Sequence, residues 1–189
     1  MNKRFINYLK RFCFCIIFIL LSPIFLFLSF SCLFFQGWPI LYTSKRIGKS
    51  GTPFVIYKFR TMRNGKLEDK KRITKFGSLL RRSSIDELPQ IINLINGSME
   101  LIGARPLPYE CFKSKLMKNY FNERHIYPPG LTGLAQVYGK GKIRSHEEKL
   151  VFDIYYVRNK SIYLDLFILF KTFVVLYKRA ENNKQGLSL

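Results

Sequence analysis

Phe12 to Phe35 reads FCFCIIFILLSPIFLFLSFSCLFF, and no charged residue falls between Arg11 and Lys45. As a straight helix at about 1.5 Å per residue, a run of roughly 24 apolar residues reaches about 36 Å, enough to cross a hydrocarbon core of about 30 Å. This segment belongs in lipid. Ser22-Pro23 stands at its midpoint. There proline removes a helix hydrogen bond and bends the chain, leaving halves of about 17 Å, neither of which spans alone. Both flanks are basic, with Lys3, Arg4, Lys10 and Arg11 before the run and Lys45, Arg46 and Lys49 after it. The positive-inside rule holds both on the cytoplasmic side. A re-entrant helix-break-helix over residues 1–37 meets both constraints. A single crossing stays open, because membrane helices tolerate proline. A cleaved signal peptide fits poorly, since the run is too long and no small-x-small site follows it.

The remaining length suits one further domain with a real core, read as a cytosolic part over 38–160. With 32 Lys and Arg against 12 Asp and Glu, the formal charge of +20 points to a polyanionic partner: nucleic acid, an anionic membrane surface or phosphorylated substrates. No element interleaves aromatic and basic residues in the manner of a nucleic-acid reader, so nucleic acid is set aside. Cys13, Cys15 and Cys32 lie in the apolar run and Cys111 stands alone, which gives neither a disulfide framework nor a metal-ligand spacing. His125 and His146 are isolated and receive no role.

Beyond Trp38 the pattern is α+β and mostly α. Ile40–Thr43 and Phe54–Phe59 are β-prone runs joined by a polar loop, a small hairpin. Arg63 to Lys75 is charged and patternless and reads as a mobile loop. Phe76, Leu79 and Leu80 share one helical face, and a second helix from Asp86 carries Leu88, Ile91, Ile92 and Ile95 before Asn96-Gly97. Gly103-Ala104-Arg105-Pro106 and Pro128-Pro129-Gly130-Leu131-Thr132-Gly133 read as rigid turns. Helices are expected over Tyr109–Arg124 and His146–Asn159. Residues 161–180, apolar apart from Asp165, Lys171 and the basic Lys178-Arg179 end, form an amphipathic helix resting on the membrane, with a flexible tail over 181–189.

The chemistry concentrates at Ser84-Ile85-Asp86-Glu87-Leu88-Pro89-Gln90, two adjacent carboxylates just after Arg81-Arg82. Pro89 keeps the helix from starting much before Ile85, so Asp86 and Glu87 fall in its first turn, where free N–H groups favour anions. The same letters, Ser84-x-x-Glu87, also spell a capping box with no chemistry attached. Together with Lys58, Arg60, Arg81, Arg82 and Arg105 and a membrane attachment, the pair suits transfer of a phosphoryl-linked group to a lipid. An oxygen-rich site with few ligands favours Mg²⁺.

At these residues the chain resembles the bacterial sugar transferases, the small monotopic phosphoglycosyl transferases. The likeness runs from the Ser22-Pro23 break through Tyr57-Lys58-Phe59-Arg60-Thr61-Met62, Leu80 to Gln90, Gly103 to Leu107 and Pro129 to Val137, to Asp153-Ile154-Tyr155-Tyr156-Val157. It implies a re-entrant membrane helix and a catalytic domain of short helices on the cytoplasmic face of the bacterial inner membrane. It also implies a two-step reaction in which Asp86 attacks the sugar-bearing phosphate of a UDP-sugar, expelling UMP. Polyprenyl phosphate, undecaprenyl phosphate in bacteria, then takes the sugar-1-phosphate and so begins a surface glycan. By the same resemblance Glu87 holds Mg²⁺, Arg60, Arg81 and Arg105 grip phosphate and nucleotide, and Lys58 and Arg82 are secondary candidates. The chain departs from the family's pattern at Ser98, Ala104, Pro128, Leu134, Tyr138 and Lys140, which bears on nucleotide and sugar choice. The competing expectation is a basic, membrane-tethered binding protein without catalysis.

Overall fold

The computed structural model describes residues 3–65, 69–139 and 145–185. Its architecture is α+β with helices dominant and two sheets of two strands each. The chain divides into two compact units. The first comprises residues 1–44, 56–96 and 179–189, and the second residues 45–55 and 97–178.

In the first unit, α1 (Lys3–Leu20) and α2 (Ser22–Gln36) are separated only by Leu21 and meet at a bend of 60°. Pro23 sits in the first turn of α2, where its missing N–H costs nothing. The break expected at Ser22-Pro23 is therefore present. Among the described residues no single helix is long and apolar enough to cross a membrane, while this bent pair together has the length and composition. Much of its apolar surface lies bare, with Leu20, Phe27, Phe30 and Phe34 all exposed.

β1 (Leu41–Ile47) and β2 (Pro53–Phe59) form the hairpin, longer at its first strand than the sequence pattern indicates. The stretch after it is more ordered than the expected loop. Met62 bridges Ile73, Arg63 N–H donates to the Arg72 carbonyl at 3.0 Å, and α3 (Asp69–Arg72) lies between. α4 (Lys75–Ser83) follows, capped by the Thr74 hydroxyl, which accepts from the Gly77 N–H. Gly77 touches the strand end so closely that a Cβ there would lie 2.0 Å from the Thr61 carbonyl oxygen.

Leu28 and Cys32 of α2, Phe59 of β2 and Leu80 of α4 make the core of this unit, flanked by Phe25, Phe76, Ile85 and Leu88. The helix of the apolar run thus packs directly on the elements that carry the candidate site.

The second unit begins with a feature absent from the sequence reading. β3 (Glu100–Ile102) pairs in parallel with β4 (Gly130–Thr132), Glu100 opposite Gly130 and Ile102 opposite Thr132. The two glycine-marked turns are one structure. A Cβ on Gly130 would fall 2.0 Å from the Gly103 nitrogen, and one on Gly133 2.0 Å from the Gly103 oxygen. Only glycine allows that approach. Residues 109–124 are not a continuous helix but a 3₁₀ turn (Tyr109–Lys113), α6 (Lys115–Asn119) and α7 (Phe121–Arg124). Ser114 interrupts them and its hydroxyl caps α6. α8 (Leu134–Gly139), α9 (His146–Arg158) and α10 (Ile162–Gln185) follow, α10 belonging to this unit as far as Lys178 and reaching Gln185, inside the stretch expected to be a tail. Lys140, one of the departures from the family's pattern, lies outside the described residues.

Candidate active site

Alternation in β2 and helical spacing in α4 set the first unit's polar groups beside its core. Phe59 and Leu80 point inward, and their neighbours Lys58 and Arg81 are left toward the carboxylates. After α4 the chain turns at Ser84, whose φ of 60° and ψ of 15° are left-handed, and enters a 3₁₀ turn (Ile85–Gln90) that leads into α5 (Ile91–Asn96). The capping box does not form. Ser84 makes no side-chain cap, and its carbonyl instead accepts from the Glu87 N–H at 3.2 Å. With Pro89 inside the turn, the segment is 3₁₀ rather than α, so fewer aligned peptides stand behind Asp86 than expected. Position is set by packing: Ile85 and Leu88 are drawn into the core on either side of the dyad.

Asp86 is 9% exposed. Burial pushes its carboxyl above the usual aspartate range, and the neighbouring Glu87 charge pushes the same way. Lys58, Arg81 and its own backbone N–H pull it back. Neither cation bridges it. Lys58 Nζ donates to Glu87 Oε1 at 2.6 Å, and Arg81 Nε donates to the Thr61 hydroxyl at 2.7 Å. Asp86 is consequently a buried carboxylate with cations nearby and no ion-pair partner among the described residues.

The structure gathers Asp86, Glu87, Lys58 and Arg81. Lys58, only a secondary candidate by sequence, is the residue that holds Glu87, 29 positions away. Arg82 is exposed and makes no polar contact among the described residues. Arg60, expected to grip phosphate, is 7% exposed and spends its guanidinium elsewhere. It donates to the carbonyls of Gln36, Gly37 and Trp38 and to Asn64 Oδ1. Arg105 belongs to the second unit. Its side chain is exposed, and its carbonyl accepts from Arg124 Nη2.

Arg124 is the residue that sequence reasoning missed. It is 1% exposed and places Nε at 3.0 Å and Nη2 at 2.7 Å from Asp153 Oδ2. Its Nη1 lies 3.1 Å from His125 Nε2, while His125 Nδ1 donates to the Phe121 carbonyl at 2.6 Å. Burial, with the Arg124 charge behind it, pushes His125 down to about 4, so the ring is neutral and its Nε2 accepts. The only sequence signal was two unlike charges 29 positions apart, which no local pattern singles out.

Among the described residues no group of three or more His, Cys, Asp or Glu converges as a metal cage. Two adjacent carboxylates, Asp86 and Glu87, are of the donor type that Mg²⁺ takes. Glu87, whose Oε1 accepts from Lys58, and Asp86 are both hard oxygen donors.

These elements are those of a family. The chain matches the bacterial sugar transferase family over residues 1–179, and it belongs to that family. It is 44% identical over 139 residues to the uncharacterized sugar transferase EpsL of Bacillus subtilis (strain 168), covering 70% of this chain and 67% of that one. It is 38% identical over 151 residues to the UDP-glucose:undecaprenyl-phosphate glucose-1-phosphate transferase of Xanthomonas campestris pv. campestris, covering 72% of this chain and 31% of that one. Over 207 residues it is 32% identical to the undecaprenyl-phosphate galactose phosphotransferase of Salmonella typhimurium (strain LT2), covering 94% of this chain and 42% of that one. The matches to the last two thus cover less than half of their length.

Proposed function

We propose that this sugar transferase moves a sugar-1-phosphate from a UDP-sugar to polyprenyl phosphate, with Asp86 as nucleophile. An Asp86 oxygen bonds to the sugar-bearing phosphorus as the bond to UMP breaks, leaving a phosphosugar-aspartyl ester. An oxygen of the polyprenyl phosphate then attacks the same phosphorus and releases the carboxylate. The observation that carries this reading is that Asp86 is buried, flanked by Lys58 and Arg81, and bridged by neither. Burial makes the ionised oxygen a stronger nucleophile than a solvated one, and the nearby cations keep it ionised enough to act.

Glu87, with Asp86, would hold Mg²⁺, which when bound neutralises phosphate charge. Arg81 and Lys58 add positive charge where phosphate oxygens arrive, and Arg105 and Arg82 are the further candidates for the nucleotide. The bent α1–α2 pair, basic at both flanks, enters and leaves the cytoplasmic leaflet as a re-entrant hairpin, and α10 is an interfacial helix. Its exposed Ile162, Tyr163, Leu166, Phe170 and Phe173 suit that placement. The names of the relatives supply the acceptor class, undecaprenyl phosphate, and the donor class, a UDP-hexose.

The test is nucleotide release. Purified full-length protein with Mg²⁺, undecaprenyl phosphate and a panel of UDP-sugars is expected to yield UMP with at least one donor. Acid quenching with that donor alone should leave a protein heavier by one phosphosugar. Asp86→Asn should abolish both signals. Release of UMP by the Asn variant at the parent rate would overturn the assignment.

A further inference from the structure

We infer that Arg60 is a positioning residue, a clamp that fastens the exit of the apolar hairpin to β2 and α4, the strand and helix that carry Lys58 and Arg81 and lead into the turn of the catalytic dyad. The clamp rests on the reading of Asp86 as nucleophile only in its consequence for turnover.

The end of α2 leaves carbonyls without intrahelical partners, and the dipole makes that end negative. Arg60 lies just past β2, its N–H donating to the Ile40 carbonyl at 2.9 Å, and its side chain folds back over this helix end. Nη1 donates to the Trp38 carbonyl at 2.9 Å and to Asn64 Oδ1 at 2.8 Å, and Nη2 to the carbonyls of Gln36 and, at 2.7 Å, Gly37. Three consecutive carbonyls converge on one buried guanidinium. A planar fork with five donors can serve such a set, and an ammonium cannot. A guanidinium so engaged has few donors left for phosphate.

The contacts continue on both sides. Gln36 Nε2 donates to the Thr74 hydroxyl at 3.2 Å, the same oxygen that caps α4. Thr61, next to Arg60, accepts from Arg81 Nε through its hydroxyl and from the Thr74 N–H through its carbonyl. The last turn of α2 is thereby joined through two residues to the first turn of α4 and to Arg81 in its last turn. Ser84 and the Asp86 turn follow directly. Whatever fixes the depth of the hairpin fixes the dyad with it.

Cys32 reports on this joint without reference to catalysis. It lies one turn before Gln36, fully buried against Leu28, Phe59 and Leu80. In a Cys13→Ser, Cys15→Ser, Cys111→Ser background, N-ethylmaleimide labelling of the full chain in nanodiscs is expected to be slow. Arg60→Met should accelerate it on the order of tenfold, since several hydrogen bonds to a charged group no longer oppose local opening. Arg60→Lys should fall between. Turnover should drop through kcat, with KM for the UDP-sugar little changed.

Should Arg60→Met fail to fold, Asn64→Ala decides the matter, because it removes one partner of the clamp at an exposed position and should speed labelling in the same direction. Unaltered labelling in the folded variants would overturn the clamp, as would a raised UDP-sugar KM with constant kcat, which marks a substrate ligand. Failure of Asp86 as nucleophile would leave the labelling result untouched, so the two ideas fail separately.

Discussion

Asp86 and Asp153 are both buried, one in each unit, and their surroundings differ in a way that separates reactivity from support. Asp153 is 1% exposed and receives two bonds from a single guanidinium that is equally enclosed. Burial pushes its carboxyl up, and Arg124 with the Arg105 backbone pulls it back. Asp86 has its cations nearby but committed to other partners, Lys58 to Glu87 and Arg81 to Thr61. A carboxylate bound to its counter-ion is a poor nucleophile and a good strut. One left unbridged keeps an oxygen available for bonding to phosphorus, at a cost in desolvation.

The largest effect that can break this comparison is on stability. Arg124→Met leaves Asp153 charged and unpaired in the interior, a change that typically costs about 3–5 kcal/mol. Thermal unfolding in detergent is expected to show a strong drop, and Arg124→Met with Asp153→Leu should recover most of it. If the single variant melts with the parent, Asp153 is not the strut described. Asp86→Asn should do the opposite. Because the folded-state carboxyl titrates above the usual value, the folded chain holds more protons than the unfolded chain between those two points. Stability then falls as pH rises through that window, and above it the ionised Asp86 is a net cost. Removing the charge should hold or raise the melting temperature at neutral pH while turnover disappears. A clear loss of stability would place Asp86 among the supports.

Much of the first unit is legible in the sequence because its signals are local. The apolar run with its Ser22-Pro23 break and the Asp86-Glu87 pair each occupy a single contiguous stretch; the break is found where the pattern puts it, and the pair lies in a first helical turn that is 3₁₀ rather than α. What escapes is contact between distant stretches. Lys58 meets Glu87 across 29 positions, and Arg124 meets Asp153 across 29. The turns at Gly103 and Gly130 look like separate punctuation until parallel pairing of β3 and β4 brings their backbones together. The surroundings of Arg60 are hidden from sequence for a subtler reason. Its letter and place suit a phosphate ligand, and only the fold shows three carbonyls already occupying it.

The smallest effect sharpens the comparison most, because it reads Asp86 alone. Burial and Glu87 raise its carboxyl above the ordinary aspartate value of 3.8, so the acid limb of the rate profile should lie above that value. Lys58 works against both. Lys58→Met removes a favourable charge and leaves Glu87 without this partner, and each change makes ionisation of Asp86 harder. The acid limb of kcat should therefore move to higher pH, whatever happens to the plateau. Glu87→Gln removes the repelling charge and should move the limb to lower pH. Opposite movements from two residues that grip each other are not expected of a structural pair such as Arg124 and Asp153, whose loss should scale the whole profile without displacing it. If the limb stays fixed in both variants while the plateau falls, the titrating group is not Asp86, and its resemblance to a nucleophile rests on burial alone.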